Sequence, residues 1–119
     1  MTKQQDSFGR LLRERRIAKQ ISLRKFAELV GVSPTYLSQV EQENVMPPTA
    51  DRVKRMAELL GENSDEWIAL AGRVPEDLPG IIQQQPTEMP ELLREASGLT
   101  AEQLRKLTKQ ARKLKDEGK

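Results

Sequence analysis

The stretch that decides the fold is Ser22 to Glu41, which reads SLRKFAELVGVSPTYLSQVE. Ser22 and Ser33 each precede a run with helical apolar spacing, and a serine in that position can accept a backbone N–H at the start of a helix. Pro34 follows at the first helical position, where its missing N–H costs nothing. Gly31 separates the two runs, and glycine commonly ends a helix because it tolerates a positive φ. The stretch therefore predicts two short helices joined by a tight turn.

The second predicted helix has an apolar side and a polar side. Leu37 and Val40 are its apolar residues at helical spacing, and Ala27 on the preceding helix is small enough for the two helices to cross closely. The polar side chains are Thr35, Ser38, Gln39 and Gln42. This arrangement is typical of the supersecondary unit whose second helix can enter the major groove of DNA.

Similar patterns on either side extend the helical prediction. Three further residues can cap helices: Ser7, Thr49 and Ser64. The first of these helices is expected to run to about Lys19, and the other two to end at Gly61 and Gly72. Strand signals are nearly absent, since no apolar/polar alternation is sustained and aromatic residues make up 3% of the chain. The sequence therefore predicts an all-α domain of five helices over residues 1–72.

Residues 73–119 have a different character and are predicted to form a connector followed by helices. Four prolines interrupt residues 73–90, where we expect a semi-ordered segment with one short turn around Ile81 that packs on the main domain. A short helix is expected after Pro90, and Thr100 to Gln103 forms a capping box that opens a last helix. Its apolar residues alternate spacings of three and four, which favours packing against a partner: Leu104, Leu107, Ala111 and Leu114.

The net charge of +2 is unevenly distributed. Residues 1–30 carry eight basic and three acidic side chains, residues 61–90 carry one and six, and residues 91–119 carry eight and five. Local positive charge rather than the total decides attraction to phosphates. We interpret the first basic segment as electrostatically functional and the last as a solvated helix face.

Composition excludes several classes of function. The chain has no cysteine and no histidine, so a zinc finger, a disulfide, a thiol nucleophile and a Ser-His-Asp triad are all excluded. The carboxylates are scattered among lysines and arginines, so we expect no metal, no cofactor and no enzymatic activity. No apolar run approaches the ~18 residues of a membrane helix, and the N-terminal residues lead into no apolar stretch. We therefore expect a cytoplasmic protein without membrane contacts.

The Ser22–Glu41 stretch, followed by Pro48-Thr49 and then by MAELLG over residues 56–61, resembles the Cro/C1-type (XRE) helix-turn-helix family. The resemblance covers about residues 8–71 and spans five helices in the family's order. It implies a lambda-repressor-like helix-turn-helix domain that binds double-stranded DNA, followed over residues 73–119 by a short helical extension for dimerisation or partner binding.

The resemblance also implies positions for base readout in the first turns of the third helix, namely Pro34, Thr35, Tyr36 and Gln39. Gln39 is the best candidate for direct readout, because its amide can bind adenine N6 and N7 together. Pro34 can offer only shape and a contact with a thymine methyl, whereas Thr35 can do the same or form a hydrogen bond with a base or a phosphate. Tyr36 is equally compatible with a half-buried packing role.

Other family positions map onto the DNA backbone or onto the fold. The expected backbone contacts are Ser22, Arg24, Ser38, Gln42 and Asn44, and more general candidates for phosphate contact are Arg10, Arg13, Lys19 and Arg52. Leu23 replaces the glutamine of many members and Glu43 replaces a glycine, so we expect the contact at Leu23 to be lost and the loop geometry to differ. Arg16 and Glu41 match a structural pair that links the first and third helices.

One reading helix contacts only about 4 base pairs, so the family resemblance implies a homodimer on a palindromic operator with half-sites about 34 Å apart. Two surfaces are candidates for the dimer, the region around Trp67 and the last helix through Leu104, Leu107 and Leu114. The alternative for that leucine stripe is that it folds back on its own domain.

The sequence therefore predicts a transcriptional regulator, with a repressor as the leading interpretation. A second hypothesis is an antitoxin-like autorepressor whose C-terminal segment binds a partner protein. A third is an adaptor that kept the fold and lost DNA binding.

Overall fold

Eight helices follow one another along the part of the chain that the computed structural model describes, residues 7–118. They are α1 (Phe8–Ala18), α2 (Leu23–Val30), α3 (Pro34–Glu41), α4 (Ala50–Leu60), α5 (Ser64–Leu70), α6 (Leu78–Gln84), α7 (Glu88–Ala96) and α8 (Ala101–Glu117). These residues contain no strand, which confirms the all-α prediction. The chain divides into two compact units, unit 1 (Met1–Leu78) and unit 2 (Pro79–Lys119). The expected 1–72 domain begins with six residues that lie outside the described range.

No helix within residues 7–118 combines the length and apolarity needed to cross a bilayer.

The turn between α2 and α3 is built as its residues predict. The Ser22 hydroxyl accepts the Lys25 N–H at 3.0 Å, and the Ser33 hydroxyl accepts the Tyr36 N–H at 3.0 Å. Gly31 ends α2 with φ 89°, a left-handed conformation that costs a glycine little. These local interactions confirm the predicted start of α3 and the predicted end of α2.

Three other helix starts differ from the expected caps. Ser7 and Thr49 occupy the cap positions of α1 and α4, but neither side chain accepts a capping hydrogen bond. Asn63, rather than Ser64, caps α5, and its Oδ1 accepts the Glu66 N–H at 2.9 Å. Asparagine is as strong a cap as serine, so the first of the two adjacent candidates takes the position and Ser64 becomes the first helical residue.

The core of unit 1 is formed by fourteen buried apolar side chains from α1 to α5 and the residue after it: Phe8, Leu12, Phe26, Ala27, Leu37, Val40, Ala50, Val53, Met56, Ala57, Leu60, Trp67, Ile68 and Ala71. The rings of Phe8 and Trp67 meet edge to face, with centroids 5.8 Å apart and an interplanar angle of 81°. The Trp67 side chain is 2% exposed. The side chain of Trp67 is therefore covered by the core of its own domain, and the expected dimer contact in the region around Trp67 stays a prediction.

Unit 2 differs from unit 1 because none of residues 79–118 is buried. The connector is more regular than expected, since α6 spans Leu78–Gln84. Pro90 lies inside the first turn of α7 rather than before the helix, a position where its missing N–H has no helical partner in any case. The capping box of α8 is confirmed, because Thr100 and Gln103 each accept the other's backbone N–H, at 3.1 and 2.9 Å.

Candidate nucleic-acid interface

The third helix has one buried side and one accessible side. Leu37, Val40 and Glu41 are buried, which fixes the rotation of α3 about its axis. At about 100° per residue, the opposite side carries the polar residues Thr35, Ser38, Gln39 and Gln42. The fold thus collects these four side chains on one face, which we call the polar face of α3.

The two remaining candidates for base readout flank the polar face. Pro34 is exposed at the first helical position of α3. Tyr36 is half-buried and packs against the core of unit 1. Within residues 7–118, no side-chain hydrogen bond engages Thr35 or Gln39. The donors and acceptors of these two residues are therefore available to a ligand.

Hydrogen bonds connect three candidates for backbone contact at the C-terminal end of α3. Gln42 Nε2 donates to Ser38 Oγ at 2.8 Å, and Asn44 Nδ2 donates to Gln42 Oε1 at 3.4 Å. The other two candidates, Ser22 and Arg24, are exposed at the start of α2. The Ser22 hydroxyl already accepts a capping N–H, but its own proton remains able to donate to a phosphate oxygen.

A buried ion pair holds α1 against the end of α3. Arg16 Nε and Nη2 donate to the two carboxylate oxygens of Glu41, at 2.7 and 2.9 Å, and Arg16 Nη1 donates to the Ile21 carbonyl at 2.9 Å. The side chains of Arg16 and Glu41 are 9% and 4% exposed. A bidentate pair of this kind fixes direction as well as distance, so it determines how α3 is presented by the domain.

Glu43 has a left-handed backbone conformation in the loop after α3. Its φ is 64°, in the region that favours glycine. The expected difference in loop geometry from other family members stays a prediction. The Glu43 carboxylate accepts the Arg10 N–H at 3.2 Å, in the first turn of α1. Glu43 thus satisfies a donor at the start of α1 that the Ser7 side chain leaves without a cap.

The general phosphate candidates are partly engaged within the domain. Arg52 Nη1 donates to the Gly31 carbonyl at 2.6 Å, where it supports the end of α2. Arg10 Nε lies 4.0 Å from Glu14 Oε2, and Arg13 Nε lies 4.0 Å from Glu41 Oε1. Lys19 is exposed.

Leu23, which replaces the glutamine of many family members, packs partly buried against the core. Its apolar side chain therefore supports α2.

Two features that position α3 escaped the sequence reasoning. A Cβ on Gly9 would overlap the Val40 carbonyl oxygen and lie 3.0 Å from the Glu41 carbonyl oxygen, so only glycine allows α1 to approach α3 this closely. Arg73 donates to the Pro48 carbonyl at 2.9 Å and to the Pro47 carbonyl at 2.6 Å, which anchors the loop that follows α3. A glycine inside a helical pattern was a visible signal for the first, whereas nothing local marks the second.

Comparisons with known proteins give one family match and several similar solved structures. Residues 12–67 match the family described as helix-turn-helix. A comparison with curated proteins found no match. Among solved structures, the biofilm regulator SinR in complex with DNA is 24% identical, with 51% of this chain and 97% of that chain covered and a TM-score of 0.47. The clp gene regulator ClgR from Corynebacterium glutamicum is 25% identical, with 76% and 87% covered and a TM-score of 0.49.

A complex of SinR with SinI is 22% identical, with 92% of this chain and 98% of that chain covered and a TM-score of 0.47. The match to the helix-turn-helix family covers residues 12–67, which begin within α1 and end within α5. This segment contains α2, α3 and the turn between them. Over this segment the chain is similar to the helix-turn-helix family, in keeping with the resemblance that its residues show.

Proposed function

We propose that this protein is a repressor that binds a palindromic DNA operator as a homodimer and reads bases with Thr35 and Gln39 on the polar face of α3. The observation that carries the proposal is the orientation of α3, with Leu37, Val40 and Glu41 buried and the polar side chains on the accessible side. A bound dimer blocks access to its operator without any additional effector surface. Repression therefore needs nothing beyond tight and selective binding.

Base readout is assigned to Gln39 and Thr35, whose polar groups are not engaged within the described part of the domain. Gln39 is suited to adenine, because its amide both donates and accepts. Tyr36 and Pro34 contribute shape at the flank of the helix. Phosphate contacts are assigned to a larger set: Ser22, Arg24, Ser38, Gln42 and Asn44.

The homodimer is assigned to unit 2. An open apolar groove of about 530 Å³ lies between α7 and α8, and we call it the leucine groove. It is lined by Leu92, Leu93, Ala96, Leu104, Leu107, Thr108, Gln110, Ala111 and Leu114. Its leucines are between 38% and 64% exposed, which is unfavourable for side chains of this size unless another surface covers them. A second copy of α7 and α8 offers a matching apolar stripe with the same spacing.

Selection of bound duplexes from a random pool tests the function directly. The wild type is expected to select a two-fold symmetric consensus with half-sites about 34 Å apart. Gln39→Ala should then lose about 1–3 kcal/mol of binding at one base position only. Gln42→Ala is the matched control, since loss of a backbone contact weakens all sequences alike. Selection of no consensus, or binding to every duplex that is independent of salt, would overturn the proposal.

A second candidate function is an antitoxin-like autorepressor in which the leucine groove binds a partner protein. The observation in its favour is the same exposed apolar groove, which one complementary helix could also fill. Native mass measurement on the protein purified from its own source distinguishes the two. A homodimer supports the repressor, and a stoichiometric complex with a second protein supports the autorepressor.

A further inference from the structure

Five cations form a continuous surface on α8 of unit 2. They are Arg105, Lys106, Lys109, Arg112 and Lys113, all exposed, and we call them the basic band. No acidic residue occurs between Gln103 and Lys115. At about 100° per residue, the five side chains fall within an arc of about 120°. The band is therefore one uninterrupted positive face.

The basic band lies opposite the leucine groove. The groove residues of α8, from Leu104 to Leu114, centre about 180° away from the band on the same helix. If a second copy covers the groove, the band stays accessible. The two faces of α8 therefore serve separate contacts.

Within residues 7–118, no ion pair engages the cations of the band. Five ion pairs form within residues 7–118, and every one of them involves α1 or α2 and none involves α8. Like charges four residues apart, such as Arg105, Lys109 and Lys113, destabilise a helix. An external anionic partner would remove this repulsion.

We propose that the basic band is a second DNA-backbone surface, which binds phosphates outside the base pairs read by α3. The inference rests on the proposed DNA-binding function of unit 1. The band extends over eight residue steps, or about 12 Å. Along that length each DNA strand presents three to four phosphates, at about 3.4 Å per phosphate. Because both surfaces belong to one chain, binding by unit 1 raises the local concentration of DNA around the band to about the millimolar range.

The test compares two full-length triple variants with equal loss of charge. The band variant carries Arg105→Gln, Lys109→Gln and Lys113→Gln. The control variant carries Lys54→Gln, Arg94→Gln and Lys115→Gln, exposed positions outside the band. Glutamine has nearly the helix propensity of lysine and arginine, so α8 is retained. Circular dichroism and native mass verify that fold and oligomer are unchanged.

Affinity is measured by fluorescence anisotropy over a range of salt concentrations, on a duplex limited to the selected operator and on one extended by about ten base pairs at each end. The wild type and the control variant are expected to bind the longer duplex at least tenfold more tightly. The band variant should lose this preference, and its slope of log K against log salt on the longer duplex should fall by up to about 3 per chain.

The failures of the two proposals are distinguishable. Absence of selective binding by the wild type overturns the proposed function itself. Selective binding with equal salt slopes for the two variants overturns only the second surface. Binding of the wild type to vesicles of anionic phospholipid, lost in the band variant while DNA affinity is unchanged, would also overturn it and assign the band to a membrane.

Discussion

The Arg16–Glu41 ion pair shows how one side chain controls the reading helix. Glu41→Gln keeps the shape but removes the charge, and leaves the Arg16 guanidinium buried without a counter-ion. We expect the free energy of unfolding to fall by about 3–5 kcal/mol, measured by urea denaturation. The control is Glu62→Gln, which breaks the more exposed Arg15–Glu62 pair and should cost less than about 1 kcal/mol. Equal losses of unfolding free energy in the two variants would contradict the conclusion that burial makes the Arg16–Glu41 pair the costlier one to break.

Gly9 supplies a second test at the residue scale. Alanine is a better helix former than glycine by about 1 kcal/mol, so propensity alone predicts stabilisation. In Gly9→Ala the new Cβ meets the Val40 carbonyl, and we expect a net loss of about 1–3 kcal/mol by urea denaturation. Gly80→Ala in α6 is the control, because nothing lies within 4 Å of its Cβ and no destabilisation is expected. A gain in stability for Gly9→Ala would show that α1 and α3 can separate at no cost.

At the level of elements, the helices that could be predicted well are those specified by adjacent residues. Ser22 and Ser33 each accept a hydrogen bond from a residue three positions later, and Gly31 ends the helix that it directly follows. The α2–α3 turn can therefore be predicted from neighbouring residues alone. The interactions that escaped prediction join distant segments, as Arg73 does with Pro47, 26 residues earlier. Periodicity carries no information about such contacts, because they depend on how finished helices pack.

The start of α5 gives a prediction at the element scale, since two adjacent residues competed for one cap. Asn63→Ala removes the acceptor of the Glu66 N–H and should cost about 1 kcal/mol. Ser64→Ala should change stability by less than about 0.5 kcal/mol, because Ser64 is the first helical residue and caps nothing. Thermal unfolding of the two variants measures both effects, and the reverse order would restore Ser64 as the cap.

At the scale of the whole molecule, the two units differ in how many of their apolar side chains are buried. Unit 1 buries fourteen apolar side chains, whereas unit 2 buries none of its described residues and leaves Leu92 and Leu93 about half exposed. The leucine stripe of α8 could be predicted from spacing, whereas its packing against a partner stays a prediction. The sequence alone favours a solvated face for the basic band. Only the structure shows that, in the part of the chain it describes, none of the band's cations forms an ion pair.

The dimer assignment leads to the last prediction. Leu104→Gln with Leu107→Gln replaces two central side chains of the leucine groove and should convert the homodimer to a monomer, measured as native mass by light scattering. Unit 1 keeps its own core, so half-site binding should be unchanged while affinity for the full palindrome falls by at least tenfold. Lys109→Gln on the opposite side of α8 is the control and should leave the mass at that of a dimer. A dimer that persists in the double variant, or after deletion of residues 91–119, would place the interface outside the leucine groove. The two α3 helices of the dimer would then be held at their operator spacing without any contribution from the leucine groove.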